Sequence, residues 1–471
     1  MLILTVLEKN QIFMTKVSKS KDTKSGTGLI LFKYFVRSFL TKYYYRKVYS
    51  VDAENIPENC ALMVVSNHQN SLCDPLGLLL AIRGRKERKH RIVTRASAFN
   101  NSLANFFLRW LGLLPAYRLS VDGEDQLSNN TNTFEIVENE LLHNGTVIIF
   151  PEGKHQDKHW LGEFSSGYLR MLFQAAEKSN FEKELFILPT CNHYSDYFAV
   201  RGDMLIKFGK PISIAPYYEL YKTKPRTAQR QINALVRERV SEMMLNITDL
   251  DNYEAIDYLR DTYGVKFAEA KGFDPEKLPE KLLADKMLCS QLEALRTTQE
   301  ELIQEIYDEA EILKYKSKLL GISDIDCGAK IKPWKLFFQR LILVLFFPVY
   351  ACAFIPNLLV IKLPRLINRK VKDPMMHSTV RILVSILITI PISALLIFGT
   401  IWIITKSFLI ALICLFCFPS VSLFVFNYKK TYRRWKNKVR CYKLFKEGKL
   451  DELVALRECI YKRLDNILEI K

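Results

Sequence analysis

Three short blocks hold the side chains best suited to chemistry. The first, Ser66-Asn67-His68-Gln69-Asn70-Ser71-Leu72-Cys73-Asp74-Pro75, begins where an apolar run, Ala61–Ser66, ends. An imidazole takes a proton near neutral pH, and a carboxylate beside it fixes its tautomer and stabilises the imidazolium. His68 is therefore a candidate general base and Asp74 its orienting carboxylate. Asp74 also suits a helix N-cap, because Pro75 fits the first helical position; the two roles can coexist. In the second block, Gly112-Leu113-Leu114-Pro115-Ala116-Tyr117-Arg118, a guanidinium follows a short apolar element and can grip a phosphate with two bonds. An ordinary surface arginine is the plainer reading. The third, Val147-Ile148-Ile149-Phe150-Pro151-Glu152-Gly153-Lys154, puts a carboxylate just past an apolar run, and Gly153 allows close backbone approach. Leu188-Pro189-Thr190, followed by Asn192 and His193, and Gly209-Lys210-Pro211-Ile212 complete the series.

A metal site is the rival use of the histidines. His155 and His159 are four apart, with Asp157 between them and Glu152 near. On a helix such a pair can bind zinc, but this stretch has no helical apolar face and no obvious further ligand. Polar loop histidines near a substrate entrance are the expectation, with no metal.

The elements that position these blocks read as α/β. Ala61–Ser66, 91–95, 147–150 and 185–189 are short apolar strands. Phe134, Val137 and Leu141 follow helical spacing, with Gly145 as the stop. Strands alternating with helices imply a largely parallel sheet, whose ligands lie in the crevice beyond the strand ends. Each block falls at such an end.

The chain has 471 residues, 49% apolar and 25% charged, which excludes a disordered chain or a fibre. Lys plus Arg number 68 against 50 Asp plus Glu, a net charge of +18, so the partners are anionic. Residues 247–328 hold 19 acidic and 10 basic residues, and the rest is correspondingly more basic. Ten cysteines without a regular framework suggest reduced thiols on the cytosolic side. Met1–Phe13 is broken by Glu8 and Lys9 and lacks the marks of a cleavable signal peptide.

Leu341–Ile361, Ile382–Thr405 and Ser407–Tyr428 contain no charged residue, and each is about the 20 residues that a helix needs to cross a bilayer core. Lysines and arginines flank these runs, but only Lys406 separates the second from the third. If basic segments stay cytoplasmic, Ile382–Tyr428 is a helical hairpin with Lys406 outside. The first run then returns to its own side, bent at Pro348 and Pro356 into a re-entrant or interfacial element. The positive charge flanks apolar spans and no nucleic-acid-binding signature appears, so the basic balance points to anionic lipid and not to nucleic acid. The organisation expected is a disordered N-terminus (1–28), an interfacial amphipathic helix (29–50), a catalytic domain (51–246), an acidic, solvated helical arm (247–328), a membrane region (334–430) and a basic helical tail (431–471). The helical pattern in the second of these runs from Leu29 to Lys47.

In this order the blocks resemble the glycerolipid acyltransferase family, which includes glycerol-3-phosphate and lysophosphatidate acyltransferases. Its pattern is Asn-His-x4-Asp, Gly-x5-Arg, Phe-Pro-Glu-Gly and a Pro-centred block; the resemblance covers roughly residues 50–215. Phe150-Pro151-Glu152-Gly153 with the upstream Asn67-His68 is specific, and the other blocks are weak singly. Five residues separate His68 from Asp74 where most members have four. That spacing, with Asn70 and Asp74-Pro75, resembles the fungal-type glycerol-3-phosphate/dihydroxyacetone-phosphate acyltransferases, which also have a long membrane-associated C-terminal part. Phe164-Ser165-Ser166-Gly167 departs from the family, which often has Lys before this Gly.

The resemblance implies an α/β fold with a mixed, largely parallel sheet flanked by helices, plus a helical arm and C-terminal membrane helices. It implies a membrane-bound O-acyltransferase in phosphatidic acid synthesis, its active site on the cytoplasmic face. His68 is the base, Asp74 orients it, and Arg118, Gly153 and Lys154 hold the acceptor phosphate. Glu152 binds a glycerol hydroxyl or braces Arg118. The co-substrate is acyl-CoA or acyl-carrier protein, with no resident cofactor. The acceptor is glycerol 3-phosphate or dihydroxyacetone phosphate, with 1-acylglycerol 3-phosphate second. An inactive membrane scaffold is the alternative of another class, and retention of His68, Asp74 and Glu152 argues against it.

Overall fold

The computed structural model describes residues 27–470 except 83–89, 101, 118–122, 124, 126–127, 129, 155–157 and 323–330. The chain divides into two compact units, one up to Met244 and one from Leu245.

The first unit opens with α1 (Thr27–Phe39), a wide turn (Leu40–Tyr44) and β1 (Lys47–Val51). It continues through β2 (Ala61–Ser66), α2 (Cys73–Ala81), β3 (His90–Arg95), α3 (Ser102–Trp110), β4 (Leu113–Ala116), α4 (Asn130–Leu142), β5 (Thr146–Ile149) and α5 (Gly167–Lys178). Then come β6 (Leu185–Tyr194), β7 (Asp203–Phe208), β8 (Ile212–Ser213), α6 (Tyr218–Thr223) and α7 (Pro225–Met243). The strands form one sheet in the order β1-β7-β6-β2-β5-β3-β4, with β8 beside β6. Pairing is parallel except where β6 meets β7 and β8, so the mixed, largely parallel sheet expected from the sequence is present.

The centre of this sheet matters most for the site. All six residues of β2 are buried, as a strand covered on both faces requires, and this is why Ala61–Ser66 reads as a continuous apolar run. β2 lies between β5 and β6, with Val65 opposite Ile149 on one side and Pro189 on the other. The Asn-His and Phe-Pro-Glu-Gly blocks therefore leave the sheet side by side at the same end, next to the Pro-centred block within β6. Val137 and Leu141 of α4, Leu169, Leu172 and Phe173 of α5, and Ile232 and Val236 of α7 pack into one core cluster with β2 and β5.

Two elements differ from the sequence reading. The helix expected from Leu29 to Lys47 is α-helical to Phe39 and continues as a π-helical turn to Tyr44, and Lys47–Val51 pairs in parallel with β7; β-branched and aromatic residues in this last segment favour an edge strand. The strand expected over 185–189 continues to Tyr194, because its second half changes partner and runs antiparallel to β7. On α1, Phe32 packs edge-on against Phe107 and Trp110 of α3, while Leu31, Tyr34 and Phe35 stay exposed.

The second unit is helical: α8 (Tyr253–Thr262), α9 (Gly264–Ala270), α10 (Leu278–Thr298), α11 (Glu300–Leu320), α12 (Pro333–Asn368), α13 (Met376–Val384), a π turn (Ser385–Thr389), α14 (Ile390–Thr405), α15 (Phe408–Lys446) and α16 (Asp451–Ile467). The acidic segment is more than a solvated arm. Leu288, Leu292, Ile306, Ala310 and Leu313 are buried, as are Leu453, Ile460 and Leu464 of α16. Tyr263 donates to Asp465 at 2.9 Å and stacks edge-on against Tyr461, and Lys316 and Arg463 reach Glu452 and Glu309. The C-terminal helix thus closes a bundle with the arm.

Between them lie three helical segments long and apolar enough to cross a membrane, Pro333–Asn368, Met376–Thr405 and Phe408–Lys446. The last runs without a break from the third apolar stretch into the basic tail. The first contains Pro348, Pro356 and Pro364. Contacts between α12 and α15 include several on Tyr428–Trp435: Trp435 donates to Leu336 O (3.0 Å), Tyr428 donates to Leu343 O (2.7 Å) and stacks on Tyr350 (4.3 Å), and Lys429 sits over Phe354.

Candidate active site

β2 delivers Ser66 and Asn67 to the end of the sheet. Asn67 is clamped to β6 by two hydrogen bonds, donating to Asn192 O at 3.0 Å and accepting from Asn192 N at 2.7 Å. His68 therefore leaves the sheet from a fixed point. Its Nδ1 lies 2.7 Å from Asp74 Oδ2. The Asp74 side chain has no exposed surface, whereas that of His68 keeps 17%, so the ring is partly exposed while its Nδ1 is held. The ring stacks on Phe150 at 4.6 Å between centroids, which fixes its plane.

Asp74 is the hub of the site. Oδ2 also accepts from the backbone N–H groups of Gln69 and Asn70, both at 2.8 Å. Oδ1 accepts from the Tyr194 hydroxyl at 2.6 Å. Four donors on one buried carboxylate offset its loss of hydration. Asp74 sits in the first turn of α2, whose N-cap position is Leu72; its carboxylate organises the preceding loop and does not cap its own helix. In the five-residue loop between His68 and Asp74, Ser71 adopts φ +43° and Cys73 N bonds Asn70 O at 2.8 Å.

Glu152 holds backbone on both sides of its carboxylate, while Arg118, the partner expected for it, lies outside the described residues. Oε1 accepts from the backbone N–H of His68 at 2.7 Å and Oε2 from Gly162 N at 2.9 Å. Both oxygens thus brace the loops that carry His68 and Gly162. Gly153 has φ +67° in the turn that follows β5, a conformation that suits glycine. Lys154 is exposed beside it. Arg118 lies outside the described residues, as do His155 and Asp157. Gly112 has its own backbone reason: φ is +92°, and a Cβ there would lie 2.6 Å from His90 O.

His159 is buried, not a solvent-facing loop histidine. Its Nδ1 is 3.0 Å from the Tyr197 hydroxyl, and its ring is 5.8 Å from that of His193. No group of three possible metal ligands occurs among the described residues. Asn70 donates to Tyr197 O at 2.9 Å, tying the His68 loop to the segment after β6. Tyr194 is the contributor that the motifs did not single out. Tyr194 is five residues beyond Pro189, and Thr190-Cys191-Asn192-His193 between them carries no period-two apolar signal.

A buried carboxylate holding one nitrogen of an imidazole whose ring is partly exposed at a sheet end is the arrangement for general-base catalysis on a hydroxyl. Residues 47–192 match the family model described as Acyltransferase. Over 136 residues the chain is 28% identical to glycerol-3-phosphate O-acyltransferase 2 of Saccharomyces cerevisiae, a match that spans 29% of this chain and 18% of the yeast protein. Among solved structures, the 1-acyl-sn-glycerophosphate acyltransferase PlsC of Thermotoga maritima aligns with a TM-score of 0.33 and 18% identity, covering 45% of this chain and 78% of that one. Over residues 47–192 the chain is thus similar to glycerolipid acyltransferases, and the yeast match spans less than a fifth of that protein's length.

Proposed function

We propose that the protein is a membrane-bound O-acyltransferase that moves a fatty acyl group from a thioester to the hydroxyl of glycerol 3-phosphate or dihydroxyacetone phosphate. The observation that carries this is the 2.7 Å contact between His68 Nδ1 and the buried Asp74 carboxylate. The carboxylate holds the proton on Nδ1 and leaves Nε2 as the base. Nε2 takes the proton of the acceptor hydroxyl, whose oxygen bonds to the thioester carbonyl carbon. The C–S bond breaks and the proton passes from Nε2 to the departing thiolate. Base assistance of this kind gives about 10²–10⁴-fold, and positioning much of the rest. Gly153, Lys154 and Arg118 receive the acceptor phosphate. Glu152 acts by fixing the backbone of His68. The acceptor choice is supported by the His68–Asp74 spacing, the long C-terminal part and the yeast relative.

The second unit supports a hairpin topology. The arm and α16 pack together, so the chain leaves and re-enters on one side of the bilayer and crosses an even number of times. Pro333–Asn368, with three prolines and its contacts to Tyr428–Trp435 at the edge of the apolar part of α15, is the segment that does not cross. Basic flanks support the cytoplasm as that side. No apolar run separates residues 51–246 from the arm, so the acyltransferase site faces the cytoplasm as well. The exposed aromatic face of α1 suits the membrane interface.

Membranes carrying wild type or His68→Ala are given labelled acyl donor with each acceptor in turn. Incorporation into glycerol 3-phosphate or dihydroxyacetone phosphate that requires His68 supports the reading. Incorporation into lysophosphatidate alone replaces the acceptor. Equal labelling by both proteins removes the catalytic assignment, and no labelling by either favours a scaffold.

A further inference from the structure

We propose that Tyr194 is a positioning residue of this reaction, its hydroxyl donating to Asp74 Oδ1 so that Oδ2 stays on His68 Nδ1. The inference rests on the reading of His68 as base. Tyr194 ends β6, and the change of β6 from parallel to antiparallel pairing carries it beyond the rest of the parallel core to the loop of the first motif. The residue is buried, and the 2.6 Å bond is its link to Asp74. The three other donors all converge on Oδ2. Without Tyr194 the carboxylate is pinned at one oxygen only and is free to pivot.

The groups that face Asp74 are His68 from its loop, Cys73 on α2, Tyr194 on β6 and Tyr45 from the turn before β1. Burial first, and then neighbouring charge, push both tyrosines well above their ordinary range. Tyr194 therefore stays a proton donor throughout the working range. Its hydrogen bond draws charge from the Asp74 carboxylate, so removing the hydroxyl leaves more negative charge facing the imidazole. Deleting the hydroxyl strengthens the hold of the His68–Asp74 pair on a proton, so the acidic limb of the rate profile moves to higher pH.

The test uses the full chain in membranes: wild type, His68→Ala, Tyr194→Phe, Asp74→Asn and the double variant Asp74→Asn/Tyr194→Phe. Tyr194→Phe is expected to lower kcat about ten-fold, the size of one charge-assisted hydrogen bond, to leave the acceptor KM unchanged and to shift the acidic limb upward. A residue with a purely structural role changes the amount of active protein without moving that limb. Adding Tyr194→Phe to Asp74→Asn is expected to cost no further kcat. This comparison also carries the test if the single variant fails to fold, because no carboxylate is then left without its donor. Wild-type kcat with an unmoved limb, or an equal loss in both backgrounds, overturns the proposal. An inert His68→Ala beside a wild-type Tyr194→Phe removes Tyr194 alone; a fully active His68→Ala removes the base and this proposal with it.

Discussion

Replacing Asp74 by asparagine isolates the charge of the site from its shape. Oδ2 accepts from three N–H groups, those of His68, Gln69 and Asn70, so the amide oxygen must take that position. The amide NH2 then falls at Oδ1, where the Tyr194 hydroxyl can rotate to accept. The loop, the tautomer of His68 and the fold are retained, and what is lost is the negative charge that stabilises the imidazolium. A charge-assisted hydrogen bond is worth about 1.5–3 kcal/mol more than leaving it out. The Coulomb energy of unit charges about 4 Å apart at an effective dielectric of about 20 is about 4 kcal/mol. At about 1.4 kcal/mol per tenfold, kcat of Asp74→Asn is expected to fall by about 10²–10³. Acceptor KM and thermal midpoint should stay near wild type. The assay is initial-rate acyl transfer in membranes at saturating donor, with melting followed on the same preparation. A variant that folds normally and retains kcat within about three-fold refutes the claim that Asp74 acts through its charge on His68.

Further outcomes follow from other parts of the structure. Glu152→Ala leaves the N–H groups of His68 and Gly162 without their acceptor; it should cost about 1–3 kcal/mol per unpaired buried group, read as a lower melting point, and reduce kcat more than it raises acceptor KM. Gly112→Ala forces a side chain into φ +92° and within 2.6 Å of His90 O; a loss of about 1–3 kcal/mol in stability, measured by thermal melting, is expected. Ile460→Ala in α16, at a fully buried position, should cost about 2–5 kcal/mol and expose the arm to limited proteolysis. For topology, a single cysteine at Lys406 should react with an impermeant thiol reagent from outside intact cells, while cysteines over 362–381 should not.

The parts of this molecule that could be read from the sequence are those where local pattern and tertiary role coincide. Ala61–Ser66 is apolar at every position because β2 is covered on both faces, and the Asn-His and Phe-Pro-Glu-Gly blocks fall at strand ends because the parallel register of β2 and β5 puts them there. His68 and Asp74 were named from residue type and spacing, and the structure brings them within 2.7 Å. The role of Glu152 was less legible: a carboxylate after a strand says nothing about whether its oxygens face a substrate or, as here, two backbone N–H groups. Tyr194 was missed because a proline commonly ends a strand, whereas Pro189 sits where β6 exchanges a parallel partner for an antiparallel one. The acidic segment looked solvated because its charges dominate its composition. Its buried stripe becomes evident only when α16, more than a hundred residues later, supplies the matching face.

The most direct test of the account is the rate of acyl transfer to glycerol 3-phosphate by membranes containing equal amounts of wild type and His68→Ala. The account predicts a fall of about 10²–10⁴-fold, the usual contribution of a general base, with the protein still folded and membrane-bound. Transfer at the wild-type rate by the alanine variant would contradict it.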